Sequence, residues 1–281
     1  MSERRVLAAG SVAELSRARD VPSPSIAPAS LSPHAADTDK ILASFNTWSF
    51  KREQPDDLPL LRRSIADAVA IAAPLSFVLY WGKGGRCRIA QPDTECLDYL
   101  GSLTRRVGEA YPHGAAVTLI FTDTHAELNG HAPASMRRYF GEVEAAARRR
   151  GFDVCRLGAL TRAAGSIAGA CADDPPPDLL ARLLPSAQKW YRGHASHEQA
   201  ALTYYRMNMV EARAVEQAFP RSIFVTFNGR KLRRLFPARM PIFFMYSLRR
   251  GVGIKPWFLP EGAEPCSDAV CRCEAAPRHA G

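Results

Sequence analysis

Apolar residues recur along this 281-residue chain with two spacings. Spacing near 3.6 residues predicts amphipathic helices. These helices are predicted at residues 37–53, 58–72, 95–111, 135–151 and 197–219. Short, almost wholly apolar runs predict buried strands. The strands are predicted at residues 75–80, 115–122, 152–157, 222–227 and 242–248.

The order of these elements predicts the fold class. From residue 75 to residue 157 apolar strands alternate with helices, which indicates a parallel sheet covered on both faces. We therefore expect an α/β fold: a Rossmann-like, mostly parallel sheet with helices on both faces, plus a smaller C-terminal α/β portion. Ligands of such sheets bind beyond the carboxyl ends of the strands. The loops at 81–86 and 123–130 are thus candidate sites.

Composition divides the chain into three parts. Residues 1–37, rich in Pro, Ser and Ala towards their end, predict a disordered N-terminal extension. Residues 38–262 are predicted to form a single α/β domain, in which the sequence ADDPPPDLL marks a candidate subdomain break near 172–180. Residues 263–281 predict a flexible tail. Its Cys266, Cys271 and Cys273 suit either a zinc site or, as the favoured interpretation, reactive thiols.

The charge balance is basic, with a formal net charge of +9 and a pI near 9.4. This suits an anionic partner, whether nucleic acid, a phosphorylated metabolite or a membrane surface. The chain has no apolar run of the length of a membrane span, and its seven cysteines argue against a disulfide framework. We expect a cytoplasmic protein that does not bind membranes. The basic run at 230–234 lacks the interleaved aromatics of nucleic-acid binders, so no nucleic-acid partner is expected.

The loop WGKGGRCR after the first strand combines glycines with cations, including Lys83 and Arg86. Glycines let backbone N–H groups approach an anion, and the cations add charge-assisted bonds. The loop matches neither standard nucleotide fingerprint. It fits a phosphate site or, equally simply, a basic turn.

The loop TDTHAELNGH after the second strand carries carboxylate, imidazole and amide groups. Asp123 lies two residues before His125, and such a carboxylate can hold the tautomer of a histidine used for general acid–base chemistry. The alternative is a helix cap beside a surface histidine. A third interpretation, an iron site built from His125, Glu127 and a distant histidine, conflicts with the α/β alternation. The third cluster is the cation-rich turn RRGVGIKPWF, which contains Arg249 and Lys255. It fits an exposed hairpin with solvated charges and, equally well, a turn that holds a phosphorylated substrate.

These clusters, taken in order, resemble the isonitrile (isocyanide) synthases of the pyoverdine/dityrosine biosynthesis family. The similar segments are PLSFVLYWGKGGR with QPDTECLDYL, YPHGAAVTLIFTDTHAELNGH with MRRYF, EARAVEQAFPRSIFVTFNG, and MYSLRRGVGIKPWF. They span roughly residues 38–258. The chain departs from the family pattern at Thr124, where the family has glycine, at residues 127–129, and at residues 226–229, where a family histidine is missing. The resemblance is therefore to a divergent member.

The resemblance implies an enzyme of secondary metabolism that converts the α-amine of an amino acid into an isonitrile. Ribulose 5-phosphate supplies the carbon, with no metal or other cofactor, and an iron/2-oxoglutarate oxygenase is a candidate downstream partner. The implied catalytic residues are Asp123, His125 and Lys83. The implied substrate-binding residues are Arg86, Thr122, Asn129, Tyr139, Asn228, Arg249 and Lys255. The alternatives are another condensation or lyase reaction on an amino acid or sugar phosphate, and a basic accessory protein that binds nucleic acid.

Overall fold

The computed structural model of the protein describes residues 35–165, 174–246 and 256–257. Several sequence predictions lie outside the described residues: most of the N-terminal extension, the tail at 263–281, part of the break near 172–180, and the side chains of Arg249 and Lys255.

The described part of the chain folds into eight α-helices, a short 3₁₀-helix (Arg230–Leu235) and five strands. The helices are α1 (Ala35–Phe45), α2 (Leu58–Ala70), α3 (Gln91–Ala110), α4 (Asp123–Leu128), α5 (Pro133–Arg148), α6 (Leu157–Ala163), α7 (Pro177–Trp190) and α8 (His197–Ala218). The strands are β1 (Leu75–Trp81), β2 (Ala115–Phe121), β3 (Asp153–Arg156), β4 (Ile223–Thr226) and β5 (Ile242–Phe244).

All five strands lie in one parallel sheet with the order β3-β2-β1-β4-β5. The predicted α/β class with a Rossmann-like sheet is confirmed. The C-terminal strands β4 and β5 extend this same sheet, because β4 pairs with β1.

Alternation along the strands divides the core into two layers, because successive strand side chains point to opposite faces. In β1, Phe77 and Leu79 face a cluster that includes side chains of α1, α2, α3 and α5. Val78 and Tyr80 face the second cluster, which includes side chains of α6, α7 and α8. Helices therefore cover both faces, as the apolar strands predict.

The helix predictions fail where local signals are weak. The helix predicted at 37–53 ends at Phe45, because the chain then turns and Lys51 forms a bridge with Met245. Two helices that were not predicted, α4 and α6, have six and seven residues and are too short to show a period. A third helix that was not predicted, α7, contains Pro185, and proline normally interrupts a helix.

None of the helices in the described ranges has both the length and the apolarity needed to cross a membrane. Cys96 and Cys155 are not part of a disulfide. Cys87 is disulfide-bonded, and this bond was not predicted from the sequence.

Candidate active site

A cavity of about 140 Å³ lies at the carboxyl ends of β1, β2 and β4. Strand β1 has β2 on one side and β4 on the other, so the strand order reverses here, and this is where open α/β sheets bind ligands. The walls come from the loops after these strands and from α7 and α8. They include Lys83, Thr122, His125, Trp190, Tyr204 and Asn228.

The loop after β1 brings Lys83 to this cavity. The side chain is buried, and its Nζ donates to the carbonyl oxygens of Gly84 at 3.1 Å and of Arg86 at 2.7 Å. Nζ also lies 5.7 Å from the centre of the Tyr139 ring. Two backbone carbonyls and the face of an aromatic ring thus hold the Lys83 amine at the cavity wall.

A buried ion pair between Arg86 and Asp93 stabilises the loop that carries Lys83. Asp93 is fully buried, and its Oδ2 accepts from the Ala90 N–H at 2.8 Å and lies 3.0 Å from Arg86 Nη2. The Tyr139 hydroxyl donates to Asp93 Oδ1 at 2.7 Å. Burial raises the pKa of Asp93, although the Tyr139 hydrogen bond and the Arg86 charge both lower it. Desolvation of a carboxylate is thus the larger effect in this pair.

The same network changes the predicted roles of two residues. Arg86, which also donates to the Pro256 carbonyl, and Tyr139 do not line the cavity. Both were predicted to bind substrate. The structure places them where they hold the loop of Lys83, because Arg86 is engaged by Asp93 and Tyr139 is enclosed in the core.

The loop after β2 forms the short helix α4, which carries His125 to the cavity. The His125 Nε2 lies 2.6 Å from Glu211 Oε2, and the Thr124 hydroxyl donates to Glu211 Oε1 at 2.6 Å. Glu211 belongs to α8 and is 2% exposed. A buried carboxylate with a partner on each oxygen therefore anchors the imidazole.

Two tyrosines surround the same imidazole. The ring centres of Tyr80 and Tyr204 lie 6.1 and 4.9 Å from that of His125, each in an edge-on arrangement. Burial, and then the nearby Glu211 carboxylate, raise the pKa of Tyr80 well above its ordinary value and that of Tyr204 to about 12. Both hydroxyls are therefore neutral at physiological pH.

Asp123 does not occupy the predicted position beside His125. Its Oδ1 accepts from the Gly158 N–H at 2.9 Å, at the start of α6. The first turn of a helix has N–H groups without intrahelical partners, which explains why the carboxylate turns there. The carboxylate that contacts His125 is Glu211, so the expected Asp123–His125 pair is corrected to a His125–Glu211 pair.

Other predicted residues do reach the cavity. Thr122, Asn129 and Asn228 all contribute to its walls. Thr122 is buried at the end of β2, and the Asn228 N–H donates to Thr226 Oγ1 at 3.1 Å, which shapes the chain after β4. The suggested iron site finds no support, since no three metal-ligating side chains converge within the described ranges.

Sequence reasoning missed the contribution of α8. Tyr204, Asn208 and Glu211 recur at spacings of four and three residues, so they form a polar stripe on one face of this helix. Asn208 and Glu211 are nevertheless buried, at 1% and 2% exposure. The helical spacing of these three polar residues is the sequence signal that would have pointed to Glu211.

Trp257 closes the cavity beside Gly82. The indole packs against Trp81 and Phe227, with ring centres 5.4 and 6.0 Å apart. A Cβ atom on residue 82 would lie 2.5 Å from Trp257 Nε1, so only glycine leaves room for this ring.

Comparison with known proteins shows a shared fold. No family model and no curated protein matches the sequence. The crystal structure of the PvcA protein from Pseudomonas aeruginosa is similar, with a TM-score of 0.57 and 15% identity over 79% of this chain and 87% of that chain. Two crystal structures of tyrosyl-tRNA synthetase complexed with L-tyrosine align less well. The Archaeoglobus fulgidus protein has a TM-score of 0.41 and 11% identity over 75% of this chain and 64% of that chain. The Pyrococcus horikoshii protein has a TM-score of 0.42 and 14% identity over 70% of this chain and 52% of that chain.

Proposed function

We propose that the protein is an isonitrile synthase-like enzyme that converts the α-amine of an amino acid into an isonitrile. Ribulose 5-phosphate is the carbon donor in this proposal. Two observations support it: the order of motifs along the sequence, and the fold shared with the PvcA protein. A cytoplasmic location and a downstream iron/2-oxoglutarate oxygenase belong to the same proposal.

The observation that carries the proposal is the convergence of Lys83 and the His125–Glu211 pair on one cavity. The proposed reaction consists of proton transfers and changes of charge on oxygen and nitrogen. A positioned imidazole can carry out the proton transfers, and a positively charged side chain can stabilise the negative charge that develops on oxygen. Both groups come from loops at the carboxyl edge of the sheet, as the fold class requires.

The residues of the site suit two anionic substrates. In the proposal, Lys83 binds the sugar phosphate or the amino-acid carboxylate, since its buried amine lies in the cavity wall. Asn129 and Asn228 offer amide donors and acceptors that orient the substrates. Arg249 and Lys255 remain predicted contributors to the same binding.

In the chemical scheme, the amine attacks the ketone carbon of the sugar, and loss of water gives an imine. Elimination of phosphate breaks a C–O bond of the sugar, and two retro-aldol-type cleavages break the bonds from the nitrogen-bound carbon to its two carbon neighbours. The remaining four carbons leave as formaldehyde and a three-carbon carbonyl compound, so the carbon left on nitrogen is that of the isonitrile. Each step moves a proton to or from carbon, nitrogen or oxygen, and in the proposal His125 is the group that moves it.

The test is to incubate the protein with ribulose 5-phosphate and a panel of amino acids. Phosphate release and an isonitrile product detected by mass and infrared absorption are expected. Lys83→Met and His125→Gln should each lower turnover about 100-fold or more. Loss of one acid–base group costs on the order of 10²–10⁴, and loss of one group that stabilises developing charge costs about 10²–10³. Absence of phosphate release with every amino acid would refute the proposal and favour the other interpretations of the sequence.

Matched controls come from the surface of the same chain. Lys40→Met and His113→Gln remove the same side-chain types from exposed positions. Both should retain wild-type turnover, and circular dichroism of all four variants checks that folding is intact.

A further inference from the structure

We propose that Glu211 is a positioning residue that holds the His125 imidazole with its proton on Nε2 and leaves Nδ1 as the nitrogen that exchanges protons with a molecule in the cavity. The placement of the imidazole stands on geometry alone, whereas its effect on turnover rests on the proposed function.

The contacts of the carboxylate define the direction of the hydrogen bond. An ionised carboxylate can only accept, and the Thr124 hydroxyl already donates to Glu211 Oε1 at 2.6 Å. The other oxygen, Oε2, lies 2.6 Å from His125 Nε2. With Glu211 ionised, Nε2 must therefore carry the proton in this contact.

Burial strengthens this arrangement. The side chains of His125 and Glu211 are only 12% and 3% exposed, so water competes little for either group. A buried carboxylate needs donors to offset its desolvation, and Thr124 and His125 supply one to each oxygen. Since α4 carries both donors and α8 carries the acceptor, the cluster also joins these two helices at the cavity.

The other polar side chains near His125 do not compete with Glu211 for its Nε2 proton. Tyr80 and Tyr204 pack edge-on against the imidazole and stay neutral, since burial raises the pKa of both hydroxyls. The Asp123 carboxylate is turned to the Gly158 N–H. Glu211 is thus the carboxylate that contacts the ring, and it also balances the positive charge that His125 gains on protonation.

The spectroscopic test needs no substrate. In ¹⁵N-labelled protein, His125 should show a protonated Nε2, an unprotonated Nδ1 and a slowly exchanging Nε2–H proton shifted downfield by the short hydrogen bond. Assignment uses the spectrum of His125→Gln. Glu211→Met, which is similar in length but offers no oxygen, should lose the protected proton signal. Glu211→Gln, which retains a carbonyl oxygen, should keep it at reduced protection, and Thr124→Val should weaken it.

The kinetic test separates positioning from simple loss of structure. Glu211→Met should lower kcat about 100-fold with KM changed less than about threefold, and Glu211→Gln should recover part of kcat. The control is Glu144→Gln, which removes a carboxylate that pairs with Arg148 on the exposed face of α5. It should change neither the His125 signals nor kcat.

Two outcomes would overturn the inference. One is a wild-type spectrum with the proton on Nδ1, because Glu211 would then be the donor. The other is a Glu211→Met protein that keeps the protected Nε2–H signal. The wild-type spectrum decides the question even if Glu211→Met does not fold. An inactive wild-type protein with the expected spectrum would refute the proposed function and leave the geometric inference standing.

Discussion

The packing of Trp257 over Gly82 gives a sharp prediction for Gly82→Ala. The added methyl group would lie 2.5 Å from Trp257 Nε1 and 2.7 Å from Cε2. Carbon atoms pack best at about 3.5–4.0 Å, so the methyl group is about 1 Å too close. The indole must shift, because both overlapping atoms belong to its rigid ring system.

The magnitude follows from two limits. Overpacking of a filled site costs about 1–3 kcal/mol, and loss of all the packing of a tryptophan costs about 3–5 kcal/mol. Trp257 is 7% exposed and contacts Trp81 and Phe227, so a partial shift should cost about 2 kcal/mol of the free energy of unfolding. For a chain of this size this lowers Tm by about 4–8 °C.

The assay is urea and thermal unfolding of four proteins: wild type, Gly82→Ala, Trp257→Ala and the double variant. The Gly82→Ala penalty should fall below about 0.5 kcal/mol in the Trp257→Ala background, because the clashing ring is gone. Gly101→Ala is the matched control: it lies within α3 with no atom within 4 Å of a new Cβ. It should stabilise the protein by about 0.5–1 kcal/mol. Equal penalties for Gly82→Ala in both backgrounds would refute the packing argument.

Two further predictions concern buried hydroxyl groups. Tyr139→Phe removes the donor to Asp93 Oδ1 and should destabilise the protein by about 1.5–3 kcal/mol at neutral pH. The hydrogen bond lowers the pKa of Asp93, so its loss raises that pKa further. The penalty should therefore shrink as the pH falls through the Asp93 pKa, and a penalty that grows towards acid pH in urea unfolding would contradict this. Tyr80→Phe removes a hydroxyl that finds no hydrogen-bond partner in the described part of the chain. In thermal unfolding of the ligand-free protein, this variant should have an unchanged free energy of unfolding or one up to about 1 kcal/mol higher. A free energy of unfolding lower by more than about 1 kcal/mol would show that the hydroxyl is hydrogen-bonded in the native protein.

The sequence predicts the sheet well because β1, β2, β4 and β5 come from almost wholly apolar runs, which is the pattern expected of strands buried on both faces. The apolar runs of β1 and β2 also place their following loops at one edge of the sheet, which is why Lys83 and His125 could be predicted as site candidates from the sequence pattern. Thr122 and Asn228 were implied by the family resemblance, and both line the cavity.

The partners of these residues were harder to predict because they are distant in sequence. Glu211 lies 86 residues from His125, and no local pattern links the two. Proximity in sequence favoured Asp123, but the unsatisfied N–H groups at the start of α6 attract that carboxylate instead. Thr124, which departs from the family pattern, donates to Glu211, so the departure and the missed residue belong to one cluster.

The most direct test of the proposed function is to follow the label from ribulose 5-phosphate carrying ¹³C only at its ketone carbon. With an accepted amino acid, the account predicts release of inorganic phosphate and an isonitrile product that is one mass unit heavier, with the label in the isonitrile carbon. An isonitrile without the label, or phosphate release without any isonitrile, would contradict it.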